Sequence, residues 1–282
     1  MSNAALPPSG YDVDLDVGVI YTYEDNFMPR LLSSLRQSGG DLQMRLLLVD
    51  NYSNAGVENW KGCFPKTTVI RNPQRMFYAA NLNRILRAST APYVLLLNTD
   101  MFFEPQQQCL LKMARFMDEH PGCGIAGCRL YHEDGTYAHP ARRFQTTATI
   151  LARRLGLGKL LGTTLERYLY QDRSEEDVFE CDWLSGCFMM MRREAIAEVG
   201  LFDSGFVKYF EDVDMCLRMA RAGWKVMLNG RTYCHHLEER ASRNILSVDA
   251  RRHARSYLRW LRKWGLSPRS NRDTARRADR AA

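Results

Sequence analysis

Residues 211–214 read Glu-Asp-Val-Asp and put three carboxylates into four positions, directly behind Tyr209 and Phe210. A helix start attracts acids, because its free N–H groups carry the positive end of the helix dipole. Asp214 has a structural partner within reach, since Arg218 stands four residues on, on the same helix face. Glu211 and Asp212 have no such partner in the sequence, and a carboxylate at a helix mouth that faces a cleft can act as a general base. A complement lies upstream in Asn98-Thr99-Asp100, which follows an apolar, strand-like run. Two acid-bearing loops at the ends of elements point to one site that holds a metal ion and a phosphate.

The elements that must position these residues alternate from residue 15 to about 129. Strand-like runs at 15–21, 44–49, 67–70, 93–97 and 124–130 are separated by helical spacing at 27–37, 78–89 and 106–120. The run 44–49 is almost continuously apolar, as in a strand buried on both faces. Such repetition predicts a parallel sheet with helices on both faces, and ligands in such sheets bind beyond the carboxyl ends of the strands. Polar residues recur at those ends: Thr22 and Glu24, Asp50 and Asn51, Asn98 and Asp100. Three clusters in register predict a nucleotide site. A helix over 213–222, closed by Gly223, carries the acids of the opening motif.

Other classes are disfavoured. There is no G-x-G-x-x-G after the first strand, no G-x-x-x-x-G-K-[ST] and no G-x-S-x-G. The net charge of +7 sits in the tail: residues 251–282 hold eleven Arg or Lys against two Asp, which leaves the rest of the chain at −2. A near-neutral body argues against nucleic acid as a partner. The eight cysteines show neither C-x-x-C nor a zinc-like pairing with histidine, which fits a reducing, cytoplasmic setting. No apolar run is long enough to span a bilayer, and no basic segment with an apolar core opens the chain, so no signal peptide is expected.

Further motifs stand in a fixed order. Val49-Asp50-Asn51 with Ser53 is followed by Asn83 in a helix, Leu97-Asn98-Thr99-Asp100, Trp183-Leu184-Ser185-Gly186, Arg192-Arg193-Glu194-Ala195, Gly200-Leu201-Phe202-Asp203, the 209–214 run and Arg218. Together they resemble the bacterial family 2 glycosyltransferases, and among these the rhamnosyltransferase-type enzymes that extend cell-surface polysaccharides. The resemblance runs from about residue 16 to 236. It implies an α/β fold of the GT-A nucleotide-diphospho-sugar transferase type, with a mostly parallel central sheet. It also implies that Asp50 contacts the nucleotide base and that Asn83 belongs to the donor site. The D-x-D position falls on Asn98-Thr99-Asp100, where Asp100 is left as the main carboxylate for Mn²⁺ or Mg²⁺. The acidic pair falls on Glu211-Asp212, with Asp212 as base. A histidine that completes the metal site falls on His235 or His236, of which His236 is taken. One departure concerns the turn before the Asn83 helix, where Arg75 and Phe77 replace the usual Asn and Gly. Arg75 either meets the diphosphate, whose geometry guanidinium matches, or is a surface arginine.

The chemistry these residues can support agrees with the resemblance. Sugar transfer from a UDP- or dTDP-sugar needs a base for the acceptor hydroxyl and charge stabilisation for the departing diphosphate. One base and no second carboxylate placed as nucleophile favour direct displacement with inversion. The alternative is a sugar-nucleotide-binding protein on the same fold that has lost turnover. Trp183 and Gly186 are expected to line the acceptor side of the cleft; Trp183 either stacks on a sugar ring or is an ordinary core tryptophan.

A catalytic domain is expected over 11–248. Residues 139–178 form an insertion over the acceptor side, with helical pieces at 146–161 and 164–170. Its Arg142, Arg143, Arg153 and Arg154 either attract an anionic glycan or lipid-linked acceptor or face solvent. Residues 249–265 have helical spacing, with Ala250, Ala254, Tyr257, Leu261 and Trp264 along one side and arginines around the rest. This helix either lies in an anionic membrane interface, at the inner face of the cytoplasmic membrane, or packs on the domain. Residues 266–282 are Arg-rich and poor in apolar residues, the composition of a disordered tail.

Overall fold

The structure, a computed structural model, describes residues 13–145, 162–237 and 248–266. Its first half follows the expected rhythm: β1 (Leu15–Tyr21), α1 (Met28–Ser38), β2 (Met44–Asp50), β3 (Thr67–Arg71), α2 (Tyr78–Ala88) and β4 (Tyr93–Leu97). β1 lies between β2 and β4 in parallel register, and β3 pairs outside β2. Period-two alternation splits β2 between two core layers. Leu47 and Val49 pack with Leu82 and Ile85 of α2, while Leu46 and Leu48 pack with Leu31 and Leu35 of α1. α2 lies so close to β1 that a Cβ on Gly18 would stand 2.2 Å from Ile85 Cγ2. The fully buried Asp16 carboxylate accepts from Arg45 at 2.8 and 2.9 Å, from the Ser89 hydroxyl and from the Thr90 and Ala91 N–H groups. A buried charge is tolerated when it is paired and hydrogen-bonded in this way, and this one ties β1 to β2 and to the turn into β4.

The second half breaks the repetition. In order come β5 (Met101–Phe102), α3 (Cys109–Glu119), β6 (Cys123–Tyr131), β7 (Ala141–Arg142), α4 (Gly162–Tyr168), β8 (Val178–Glu180), β9 (Trp183–Leu184), β10 (Phe188–Arg192), α5 (Arg193–Val199), α6 (Glu211–Arg221), β11 (Lys225–His236) and α7 (Val248–Trp264). The main sheet runs β3-β2-β1-β4-β10-β6-β11-β5, with β8 added on β11 and β7 paired separately with β9. β10 is antiparallel to both its neighbours, β4 and β6. Periodicity does not single it out, yet this strand carries the Gly186 loop to the end of β4, where Asn98 N–H donates to the Cys187 carbonyl at 3.1 Å. The fold is the mixed α/β architecture that the resemblance implies, with a mostly parallel central sheet and helices on both faces.

Two details differ from the sequence expectation, and one expected element falls outside the described residues. α6 starts at Glu211 rather than 213, so both acids of the pair stand in its first turn. Of the two helical pieces expected in 139–178, the second is present as α4, and 146–161 lies outside the described residues, with Arg153 and Arg154. The cysteines show no zinc-like spacing, but the fold gathers the Cys109, Cys128 and Cys234 thiols within 4.8 Å of one another in the apolar core. There they pack as small hydrophobes.

Candidate active site

The carboxyl ends of β1, β2 and β4 open into a cavity of about 410 Å³. Thr22, Glu24, Asn51, Asn98 and Asp100 line it, as expected for the donor side. Their loops are closed by hydrogen bonds, local at Glu24 and between segments at Asn51. Glu24 Oε2 accepts from the Thr22 and Tyr23 N–H groups. Asn51 Oδ1 accepts from Met76 N–H at 2.9 Å and from Asn72 Nδ2 at 3.1 Å, while Asn81 Nδ2 donates to the Met76 carbonyl. These three asparagines pin the turn that precedes α2. Asn81 and Tyr78 also line the cavity; the motif reading missed both, although their place in the first turn of α2 was a usable signal.

Three expected donor residues lie elsewhere. Asn83 is buried, and its amide is spent on the backbone of Phe202, donating to the carbonyl and accepting from the N–H, each at 2.8 Å. It ties α2 to the turn after α5 and faces away from the cavity. Asp50 is 5% exposed and its Oδ1 accepts from Ser53 N–H at 2.8 Å, so Asn51 forms the wall at this strand end. Arg75 is exposed at the rim, its guanidinium 5.4 Å from the Tyr23 ring centroid, and is not part of the cavity lining.

On the opposite side, Asp212 Oδ2 accepts from Gly186 N–H at 3.1 Å and Oδ1 from Val213 N–H at 2.8 Å. Burial raises its carboxyl above the ordinary aspartate range, against the pull of these two N–H groups and of the Arg142 guanidinium. Burial and the Asp212 charge together push Glu211 up to about 8, and its Oε2 is buried with no hydrogen-bond partner among the described residues. Asp212 therefore holds the charge and Glu211 the proton. Asp214 is fully buried and accepts from Arg218 at 3.0 Å, the pair expected from spacing. Trp264 Nε1 and Lys263 Nζ, each at 2.7 Å from its other oxygen, were not expected.

The two sides meet at Tyr78. Its hydroxyl is 2.9 Å from Asn98 Oδ1 and 3.2 Å from the Gly186 carbonyl. Burial, and then the acids Glu211, Asp212 and Asp100 with Cys187, all ionised where this phenol would titrate, raise the hydroxyl well above its ordinary value. One small space thus lies within the field of acids from both halves. Trp183 lies behind it, 5% exposed, with Nε1 donating to the Arg143 carbonyl at 2.9 Å and the Arg142 guanidinium 4.9 Å from its ring centroid. This is the core role for Trp183, not a stacking platform. Arg143 is spent on the Arg167 carbonyl and Asp172.

Asp100 Oδ2 and His236 Nε2 are 3.2 Å apart. Both Asp100 Oδ1 and His236 Nε2 are buried without a hydrogen bond among the described residues. Orphaned buried polar atoms are rare in folded proteins and ask for an occupant. A carboxylate and an imidazole standing side by side suit Mn²⁺ or Mg²⁺, with phosphate and water completing the shell. His235, on the other face of β11, is spent on Glu104 at 2.9 Å. Of the two histidines, His236 is the one beside Asp100.

α7 closes the back of the base side. Ser256 and Trp260 are buried, and Ser256 Oγ accepts from the Val207 and Lys208 N–H groups at 3.0 and 3.1 Å. The Trp260 ring is 5.7 Å from that of Phe210, centroid to centroid. Arg259 and Lys263 hold Asp203 at 2.7 and 3.1 Å. The helix thus packs on the domain, along a stripe centred on Ser256 and Trp260 rather than on Ala254, which is exposed.

Comparison with known proteins places this arrangement. The model of the glycosyl transferase family 2 matches residues 17–200, so the chain belongs to that family and is a glycosyltransferase by class. It is 26% identical over 289 residues to the N-acetylglucosaminyl-diphospho-decaprenol L-rhamnosyltransferase of Mycobacterium tuberculosis, covering 90% of this chain and 91% of the relative. It is 27% identical over 188 residues to the rhamnosyltransferase WbbL of Escherichia coli, covering 65% and 67%. Among solved structures, GalNAc-T7 with UDP, GalNAc and Mn²⁺ has a TM-score of 0.63 at 13% identity; the match covers 89% of this chain and 49% of that one, about half its length. The mannosyltransferase PcManGT of Pyrobaculum calidifontis, with GDP-Man and Mn²⁺, has a TM-score of 0.58 at 16% identity, covering 93% and 68%. These structures share the fold. Among the described residues no helix is long and apolar enough to cross a membrane.

Proposed function

We propose that the cleft transfers a sugar, with inversion, from a UDP- or dTDP-sugar to a hydroxyl of a glycan or lipid-linked acceptor, in the synthesis of a cell-surface polysaccharide. The observation that carries this reading is the Tyr78 hydroxyl, 2.9 Å from Asn98 of the donor cavity and 3.2 Å from Gly186, whose N–H holds Asp212. It sets a buried base beside a pocket for a nucleotide sugar. Asp212 takes the proton of the acceptor hydroxyl. Asp100 and His236 hold Mn²⁺ or Mg²⁺, which when bound offsets the charge of the departing diphosphate. The acids available support inversion: among the described residues of the cleft, Asp212 serves as base, Glu24 is spent on two N–H groups, Glu211 holds a proton and Asp100 lies on the metal side, which leaves no further carboxylate as a nucleophile.

On the acceptor side, Arg142 lies close enough to Asp212 to lower its carboxyl and forms no ion pair with a carboxylate among the described residues. It suits the diphosphate of a lipid-linked acceptor, as the name of the mycobacterial relative suggests. Arg251, Arg255 and Arg262 of α7 are exposed and would favour an anionic surface, which supports a cytoplasmic enzyme working at the inner face of the membrane. The test is nucleotide release from UDP-, dTDP- and GDP-sugars with a polyprenyl-diphosphate glycan as acceptor, with Mn²⁺ and after chelation. Acceptor-dependent, metal-dependent release is expected. Donor binding without transfer would establish the non-catalytic alternative instead.

A further inference from the structure

The Tyr78 hydroxyl faces two oxygens, Asn98 Oδ1 at 2.9 Å and the Gly186 carbonyl at 3.2 Å, and has a single proton to give. If that proton goes to Asn98, the carbonyl of half-buried Gly186 has no donor among the described residues, and backbone carbonyls turned away from water are almost always paired. An asparagine amide keeps its shape when its oxygen and nitrogen exchange places, so its orientation is settled by its neighbours. Half a turn of the Asn98 amide satisfies every group. We propose that Tyr78 is a positioning residue, which takes a hydrogen bond from Asn98 Nδ2, passes its own proton to the Gly186 carbonyl, and so joins the donor pocket to the base.

Two consequences follow, and both rest on the transferase reading above. The Asn98 oxygen is turned into the cavity, where it offers a neutral acceptor to a hydroxyl of the donor. Aspartate at this position could not donate to Tyr78; asparagine at 98 and tyrosine at 78 therefore belong together. On the other side, Gly186 is held at both of its peptide groups: its carbonyl by Tyr78, its N–H by Asp212. A Cβ here would meet Asp212 at 3.5 Å, an ordinary contact, so space alone does not require the glycine. Glycine has the widest backbone freedom of any residue, and the loop therefore needs something else to fix it. Tyr78 supplies the restraint, and the chain of hydrogen bonds ends on the carboxylate that takes the proton.

The experiment combines Tyr78→Phe, Asn98→Asp and the double variant. For Tyr78→Phe, kcat should fall about tenfold, the worth of one well-placed hydrogen bond, with donor KM changed by less than about threefold. Asn98→Asp should cost a similar factor in kcat when Tyr78 is present, and little more once it is gone, because the two changes break one chain. A residue that merely packs would move donor KM and stability instead. Independently of turnover, the Asn98 side-chain amide protons should be protected from exchange in the parent protein and lose that protection in Tyr78→Phe, read by NMR with Mg²⁺ and UDP or dTDP as probes. Freely exchanging Asn98 amide protons in the parent, or kinetic costs that multiply in the double variant, would overturn the proposal. A protein that shows the protected amide but transfers no sugar would refute the transferase reading and leave the hydrogen-bond orientation standing.

Discussion

On the donor side, Thr22, Asn51 and Asn98 stand at the ends of parallel strands, in loops held by Glu24, by the turn at Met76 and by Tyr78. On the base side, Glu211 and Asp212 ride on α6 behind two residues in left-handed conformation, Tyr209 at φ 65° and Phe210 at φ 71°. That turn is held largely from a distance. Its backbone N–H groups at Val207 and Lys208 are met by Ser256, and its Phe210 ring by Trp260, from a helix some fifty residues on. Left-handed backbone costs non-glycine residues energy and persists only where the surroundings enforce it. One half of the cleft is thus organised by the sheet, with its strand-end loops hydrogen-bonded and only the Asp100–His236 corner left open. The other is assembled from distant segments and keeps a buried carboxyl without a partner.

The largest test of that contrast is Trp260→Ala. Removing this side chain, 2% exposed against Phe210, should cost about 3–5 kcal/mol in denaturant unfolding. At temperatures where the variant is still folded, transfer should fall while donor affinity stays near the parent value. A loss of donor affinity as large as the loss of transfer would mean that α7 supports both halves alike.

Asp212→Asn comes next. It keeps the hydrogen-bond acceptor that Gly186 uses but removes the charge, and transfer should drop about a hundredfold or more with donor binding retained. Near-parent transfer rates would remove Asp212 from its role.

Glu211→Gln probes the unpaired carboxyl. The folded state holds a proton up to about pH 8, whereas the unfolded chain releases it near the ordinary value of 4.5. Between these values the folded state binds more protons, so stability falls as pH rises, by up to about 1.4 kcal/mol per pH unit, and levels off above pH 8. Glutamine cannot ionise and should flatten that slope in unfolding measured from about pH 5 to 9. An equal slope in both proteins would show that Glu211 is ionised and solvated.

Asp100→Ala tests the donor side. Donor affinity of the parent should weaken about tenfold or more on chelation, and the variant should be insensitive to it. Metal-independent donor binding by the parent would take the ion out of the Asp100–His236 site.

The same contrast explains what the sequence discloses. Strand ends are legible because apolar runs stop at polar residues, and Thr22, Glu24, Asn51, Asn98 and Asp100 all reach the cavity on that signal. Asn83 misleads, because a motif position on a helix says nothing about which way the helix is turned; the Phe202 backbone claims it, and Asn81 takes the cavity side. The Asp214–Arg218 pair follows from helical spacing alone. The Trp264 and Lys263 contacts to the same carboxylate, and the antiparallel β10 that brings Gly186 to Asn98, depend on long-range topology that no local pattern encodes. Between His235 and His236 the choice is set by strand alternation, once Glu104 is known to lie on one face.

Arg75 should give the smallest effect, and it sharpens the boundary of the donor half. It occupies the turn that departs from the family pattern, yet its guanidinium is exposed and stacks on the Tyr23 ring at 5.4 Å, outside the cavity lining. Exposed cation–π pairs contribute about 0.5–1 kcal/mol, and the turn beneath is held by Asn51, Asn72 and Asn81 rather than by Arg75. Arg75→Ala should therefore change donor affinity by no more than about threefold and leave kcat alone, and the small change should be the same for a nucleoside diphosphate as for the nucleoside. A guanidinium that swings in to meet the diphosphate would behave differently. It would cost affinity for the diphosphate selectively, with a loss that shrinks as salt rises, because a partly exposed charge pair is screened. Calorimetric titration of UDP against uridine, at low and high salt, separates the two; a selective, salt-sensitive loss would extend the donor site beyond the strand ends to the rim.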